Sequence, residues 1–142
     1  MKMEILPKIH GPQDLKQLSV EELRTLAREV RRVILETVAK NGGHLSSNLG
    51  VVELTIALHA THDFLVDRLL WDVGHQVYSH KLLTGRWKNF STLRKHGGVS
   101  GFTNRLESPY DIYTTGHAGT AISSAVGIAC GDRVLGRKRR VV

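Results

Sequence analysis

Residues 68 to 81, RLLWDVGHQVYSHK, decide how this chain is read. Arg68-Leu69-Leu70-Trp71-Asp72-Val73 is a short apolar run of strand length that Gly74 stops. His75 then opens a segment, Gln76 to Leu83, with a helical pattern that ends at Gly85. The same punctuation returns downstream. Asp111-Ile112-Tyr113-Thr114 reads as a second brief strand, Gly116-His117-Ala118-Gly119 as a turn, and Thr120 to Leu135 as a helix stopped by Gly136. Apolar strands alternating with helices predict βαβ units, and therefore an α/β fold: a parallel sheet with helices on both faces.

Upstream, residues 1–18 read as an irregular arm and 19–142 as one domain. Ser19-Val20-Glu21-Glu22 offers a Ser-x-x-Glu capping box. The stripe Leu23, Leu26, Val30, Val33, Ile34, Val38 then predicts a helix over 20–40, ended by Asn41-Gly42-Gly43. The loop GGHLSSNLG carries His44 and leads to a helix over 51–59 whose apolar positions nearly encircle it, the pattern of an element buried on most sides. A helical turn is expected near Ser91–Lys95, and glycines 97, 98 and 101 open a loop that runs to Pro109.

A chain of 142 residues can build a real core, burying roughly two-thirds of its unfolded surface. Its single cysteine, Cys130, excludes an internal disulfide and a CxxC pair, which points to a reducing, cytoplasmic setting. No apolar run has the length of a signal peptide core or a membrane span. The net charge of +7 raises nucleic acid as a partner. However, the basic residues lie on a helix that also carries Glu21, Glu22, Glu29 and Glu36, or in the run Arg137–Arg140, with no aromatics between them. Solvated faces account for them, so neither nucleic acid nor membrane is expected.

In open parallel sheets, ligands bind at the carboxyl ends of strands beside the next helix N-terminus. Both expected strands end in Gly-His. Glycine lets the backbone turn and approach a ligand, the helix start presents N–H groups that suit a phosphate, and histidine supplies an imidazole. One Gly-His is most simply a packed turn. Two copies, with His44 in a third glycine-rich loop, favour a shared site. The spacings of His59 with His62 and of His75 with His80 match no zinc pattern, so no metal ligands are assigned. His59, His62 and His80 are read as helix-face or helix-end residues, and His10 and His96 as exposed. Cys130 is read as a buried thiol, the small residues of helix 120–135 as core packing, and Trp71, Tyr78 and Trp87 as packing residues. GHAGT lacks the features of ATP and NAD loops.

The stretches GGHLSSNLGVVELTIALH, DRLLWDVGHQVYSHKLLTGR and YDIYTTGHAGTAISSAVGIA, in this order, resemble the N-terminal part of the 1-deoxy-D-xylulose-5-phosphate synthase family, transketolase-like thiamine-diphosphate enzymes. The resemblance covers about residue 15 to the end. It implies a homodimeric, cytoplasmic transferase that condenses pyruvate with glyceraldehyde 3-phosphate with loss of carbon dioxide, feeding isoprenoid, thiamine and pyridoxal synthesis. Its cofactors would be thiamine diphosphate and Mg2+. His44 matches the family histidine that faces the reacting carbons, a catalytic role. His75 matches the histidine at the cofactor diphosphate, and Gly116, His117 and Ala118 match the next cofactor-contacting turn. Where the family often has GHSSTS this chain has GHAGTA, so backbone contacts are implied at 118 and 119. The family's Gly-Asp-Gly turn, which starts the magnesium site, would follow Val142. The chain is therefore expected to be truncated before the metal ligands, inactive alone, and weak at best in binding cofactor. The alternative expectation is a non-catalytic relic that pairs with a full-length subunit through helices 51–59 and 120–135.

Overall fold

The computed structural model describes residues 3–142. Its central element is helix α2, Val20–Asn41, preceded by the short helix α1, Pro12–Leu15. The capping box forms as the sequence predicts. Ser19 Oγ accepts from the Glu22 amide at 3.3 Å, and Glu22 Oε2 accepts from the Ser19 amide at 2.8 Å. Gly42, at φ 75°, closes the other end, a conformation that glycine adopts without steric cost. The buried stripe Leu26, Val30, Val33, Ile34, Val38 packs on α4, Val52–Thr61, and on α5, Tyr78–Lys81; α3, Ser46–Leu49, lies between α2 and α4 in sequence. A π-type turn, Leu82–Arg86, breaks at Thr84 and Gly85 and leads into a 3-10 segment, Trp87–Thr92. The last helix is α6, Ala121–Val134.

The N-terminal segment is more ordered than an irregular arm. Leu6–Lys8 forms a 3-10 turn, and Leu6, Ile9 and Leu15 enter the main core. The anchor is Glu29, only 1% exposed, whose carboxylate accepts the backbone amides of Glu4, Ile5 and Leu6 at 2.6–3.3 Å. Replacing Glu29 by Ala strands these amides, and we expect a loss of about 2–3 kcal/mol in urea unfolding, with new protease cleavage before residue 12. Unchanged stability and cleavage would refute the anchor.

The expected parallel sheet is absent. Among the described residues there is no named strand, only one isolated parallel bridge between Arg68 and Val141. Three backbone bonds of 2.8 Å make it: Arg68 N to Arg140 O, Leu70 N to Val142 O, and Val142 N to Arg68 O. The second expected strand, 111–114, has no ladder. Its side chains tie it elsewhere, Asp111 into a buried ion network and the Tyr113 hydroxyl to the Trp71 carbonyl at 2.7 Å. A strand extends only as far as a neighbour pairs with it; the first run is paired only at Arg68–Leu70, and the second has no such neighbour among the described residues. The fold is therefore helical with long ordered loops, and the α/β expectation is corrected.

Helix α6 also departs from expectation. It buries only Asp132, which pairs with Arg139, while Ile122 is 81% and Val134 86% exposed. Cys130 is exposed, not a buried thiol. Helix α4 buries one face, Val52, Thr55, Ile56 and His59, and leaves Leu54 exposed. The arginines of α2 lie in solvated pairs as anticipated, Arg24 with Glu21 at 2.6 Å and Arg32 with Glu36 at 2.7 Å.

His59 and His80, read as helix-face or helix-end residues, are both fully buried. Asp111 Oδ1 accepts from His80 Nε2 at 2.9 Å, which leaves His80 Nδ1 as the acceptor for His59 Nε2 at 2.9 Å. His59 Nδ1 is then a bare lone pair, buried without a partner. Arg86 grips Asp111 with two bonds of 2.8 Å, and Lys81 reaches Glu107 at 2.6 Å and Asp111 at 3.8 Å. Asp111 also accepts the Asn104 amide at 2.8 Å, and Glu107 the Ser100 amide at 2.7 Å. The network thus fastens loop 100–111 to the α5 region. Burial works against the Asp111 carboxylate, but hydrogen bonds from His80 and Arg86 outweigh it and hold the group below the usual carboxylate range.

Candidate functional site

Three loops meet where the sequence places its histidines. His44 lies in the loop between α2 and α3, His75 just before α5, and Gly116–Ala118 just before α6. The rings of His44 and His75 stand edge to face, 5.2 Å between centroids and 70° between planes. Phe102 closes the other side of His44 at 5.9 Å. Gly116 is part of the same wall, since a side chain there would meet the Phe102 ring at 3.9 Å. His117 and Ala118 lie on the same turn and are exposed, and no ring contact joins His117 to the other two histidines.

The backbone around His75 is tight. Val73 has φ 60°, a left-handed conformation that is strained for a β-branched residue, and Gly74 follows at φ 77°. A Cβ at Gly74 would approach Thr115 Cγ2 at 3.1 Å and Thr103 Oγ1 at 3.2 Å, so the two Gly-His turns nearly touch there. Asp72 joins them. Its carboxylate accepts the amides of Gly119, Thr120 and Ala121 at 3.0–3.2 Å. Those bonds hold its pKa below the ordinary aspartate value. The first amides of α6 are therefore already bonded to a carboxylate, whereas the amides of Gly116, His117 and Ala118 donate to no group among the described residues.

Electrostatics follows from this crowding. Partial burial pushes the His44 pKa down, and the neighbouring His75 and Arg94 act in the same direction. The neutral imidazole, which can accept a proton, is thereby favoured. His75 Nδ1 is buried with no hydrogen-bond partner, an orphaned polar atom next to the His44 ring. Unpaired amides at 116–118 and an unpaired imidazole nitrogen at 75 form a donor set that fits the oxygens of a diphosphate. Among the described residues, no group of three or more His, Cys, Asp or Glu is arranged to hold a metal ion. No helix among them is long and apolar enough to cross a membrane.

Sequence reasoning missed four members of this neighbourhood: Asn48, Tyr78 as a polar partner, Asp72 as a cap, and Phe102. Only Asn48 had a local signal, standing four residues after His44, the spacing at which a side chain reaches back to a preceding carbonyl.

A family model described as 1-deoxy-D-xylulose-5-phosphate synthase matches residues 6–142. The chain is similar to the protein of that name from Dictyoglomus turgidum, 54% identical over 138 residues, 97% of this chain and 22% of the relative. It is 57% identical over 139 residues to the one from Cupriavidus necator, covering 98% of this chain and 22% of the relative. Against the one from Treponema pallidum it is 56% identical over 142 residues, 100% of this chain and 22% of the relative. The chain spans about a fifth of the length of the curated relatives it matches.

Proposed function

The chain belongs to the 1-deoxy-D-xylulose-5-phosphate synthase family, and from that premise we propose that its histidine cleft holds the diphosphate end of thiamine diphosphate in an enzyme that condenses pyruvate with glyceraldehyde 3-phosphate and releases carbon dioxide. The enzyme is read as a cytoplasmic homodimer. Bound thiamine diphosphate supplies a nucleophilic carbon and an electron-accepting ring for decarboxylating a 2-oxo acid. This chain's own residues bind and orient. His75 donates to a diphosphate oxygen, and the amides of Gly116, His117 and Ala118 donate to others. His44, neutral and edge-on to His75, accepts or returns a proton at the donor oxygen. Mg2+ belongs to the same reading as the companion of the diphosphate, but no residue here is assigned to it and no step is routed through it.

The single observation that carries this reading is the buried, partnerless Nδ1 of His75, whose ring stands edge to face with that of His44. Titrating the chain with thiamine diphosphate, followed by the imidazole C–H signals, is expected to shift His75 and His117. Thiamine without its diphosphate should leave them in place, and His75→Ala should weaken binding about tenfold, the loss of one good charge-assisted bond. A His75 signal that stays put at millimolar cofactor would sink the proposal.

A second reading, a non-catalytic partner of a full-length subunit, draws on one observation: the apolar side chains that α6 leaves exposed, Ile122, Val126, Val134 and Leu135. Mixing the chain with a full-length synthase and weighing the species in solution discriminates. A heteromer supports it, and unmixed species refute it.

A further inference from the structure

We propose that Asn48, seconded by the Tyr78 hydroxyl, is a positioning residue that fixes the backbone of His44 against that of His75 and so sets the two imidazoles edge to face. This deepens the cofactor reading above and rests on it only for its consequence in binding.

The Asn48 side chain is fully buried. Its Nδ2 donates to the His44 carbonyl at 2.7 Å and to the His75 carbonyl at 2.9 Å, while its Oδ1 accepts the Tyr78 amide at 2.9 Å. Two acceptors on one side and a donor on the other permit only one orientation of the amide, so N and O are assigned by their partners. The His44 amide donates to the Tyr78 hydroxyl at 3.3 Å, so His44 is held at both its N–H and its C=O. The Tyr78 ring is itself packed in the core, buried and edge-on to Phe90 at 6.0 Å. Gly43 records how closely the loop lies on it: a Cβ there would stand 2.6 Å from the Tyr78 hydroxyl. One buried amide thus joins two residues 31 positions apart whose rings, without it, hang from separate loops. Rotamers fixed through a supporting layer are what keep a site within the narrow tolerance that chemistry or recognition requires.

The test is Asn48→Asp, which keeps the shape but turns an acceptor toward two carbonyl oxygens. In the wild-type chain, the ring protons of His44 and His75 should show a mutual nuclear Overhauser effect, and His44 should titrate below the ordinary imidazole range. In a folded N48D chain, we expect the cross-peak to vanish, the His44 midpoint to move back toward the ordinary imidazole range, and thiamine diphosphate affinity to fall about tenfold. A folded N48D chain that keeps the cross-peak and the midpoint overturns the proposal. Should N48D not fold, Tyr78→Phe decides, because it keeps the buried ring and removes only the hydroxyl at the His44 amide. A weakened cross-peak supports the clamp, and an unchanged one overturns it. If wild-type chain ignores thiamine diphosphate while the cross-peak behaves as expected, the cofactor reading fails and the positioning role stands.

Discussion

Asp111→Asn is expected to unfold this chain or bring it close to unfolding, with a loss of about 3–5 kcal/mol in chemical denaturation at pH 7. The substitution keeps the volume and removes the charge. Arg86, 8% exposed, then keeps at most one acceptor at position 111, on a neutral group, because the amide nitrogen of Asn cannot accept; Lys81 keeps only Glu107, and His80 loses its carboxylate acceptor. Two cations confined in a dry interior without enough counter-charge are the reason the cost exceeds that of an ordinary polar substitution. A typical domain has only 5–15 kcal/mol in hand, so one such change can decide the fold. Removing the partner as well should be milder. D111N combined with Arg86→Gln is expected to recover part of the loss, and a double variant as damaged as the sum of the singles would show that the pair is not coupled.

The second large effect is a steep loss of stability in mild acid. Burial pushes His59 down to about 2, with the neighbouring His80, Arg86 and His62 acting in the same sense. The unfolded chain takes up a proton on His59 as pH falls through about 6.5, and the folded chain refuses it until about 2. Stability from this residue is therefore complete above pH 6.5 and declines by about 1.4 kcal/mol per pH unit below it. His80 is depressed by burial against the opposing pull of Asp111, so its contribution has the same sign. Asp111, also depressed, adds its loss below the ordinary aspartate range. Urea midpoints measured from pH 7.5 to 5 should fall, and His59→Gln, which keeps a donor for His80 but cannot titrate, should flatten the profile by about one proton's slope. An identical slope in H59Q would remove His59 as the cause.

What the sequence made legible was what is local. Helix α2 could be read to within a residue because its cap, its stripe and its terminal glycines are all contiguous signals. The sheet could not. An apolar run such as 68–73 looks the same whether or not a neighbour lies alongside, and pairing is a property of residues far away in the chain, here only Arg140–Val142. Helix α6 misled for a related reason: small residues allow close approach, but nothing in the pattern says that anything approaches. The buried histidines were partly legible, since His59 falls on the 52, 55, 56, 59 register of the buried face of α4. His80-Lys81, flanked by Tyr78, Leu82 and Leu83, marked charge inside an apolar segment, but its counter-charges 26 and 31 residues away did not announce themselves. Of the candidate site, His44 and His75 were singled out by their glycine-rich turns, and their rings stand in contact. The buried amide that joins them belongs to the part that only three dimensions reveal.

Asp72 carries a consequence for selectivity. Because its carboxylate already sits on the leading amides of α6, the positive pole of that helix is neutralised from within, and a bare anion drifting toward it meets no net attraction. Discrimination at this turn is thereby transferred from charge to stereochemistry. Under the proposed cofactor reading, a guest is held by the oxygens it presents to His75 and the 116–118 backbone, so simple phosphate or sulfate is expected to compete poorly with it.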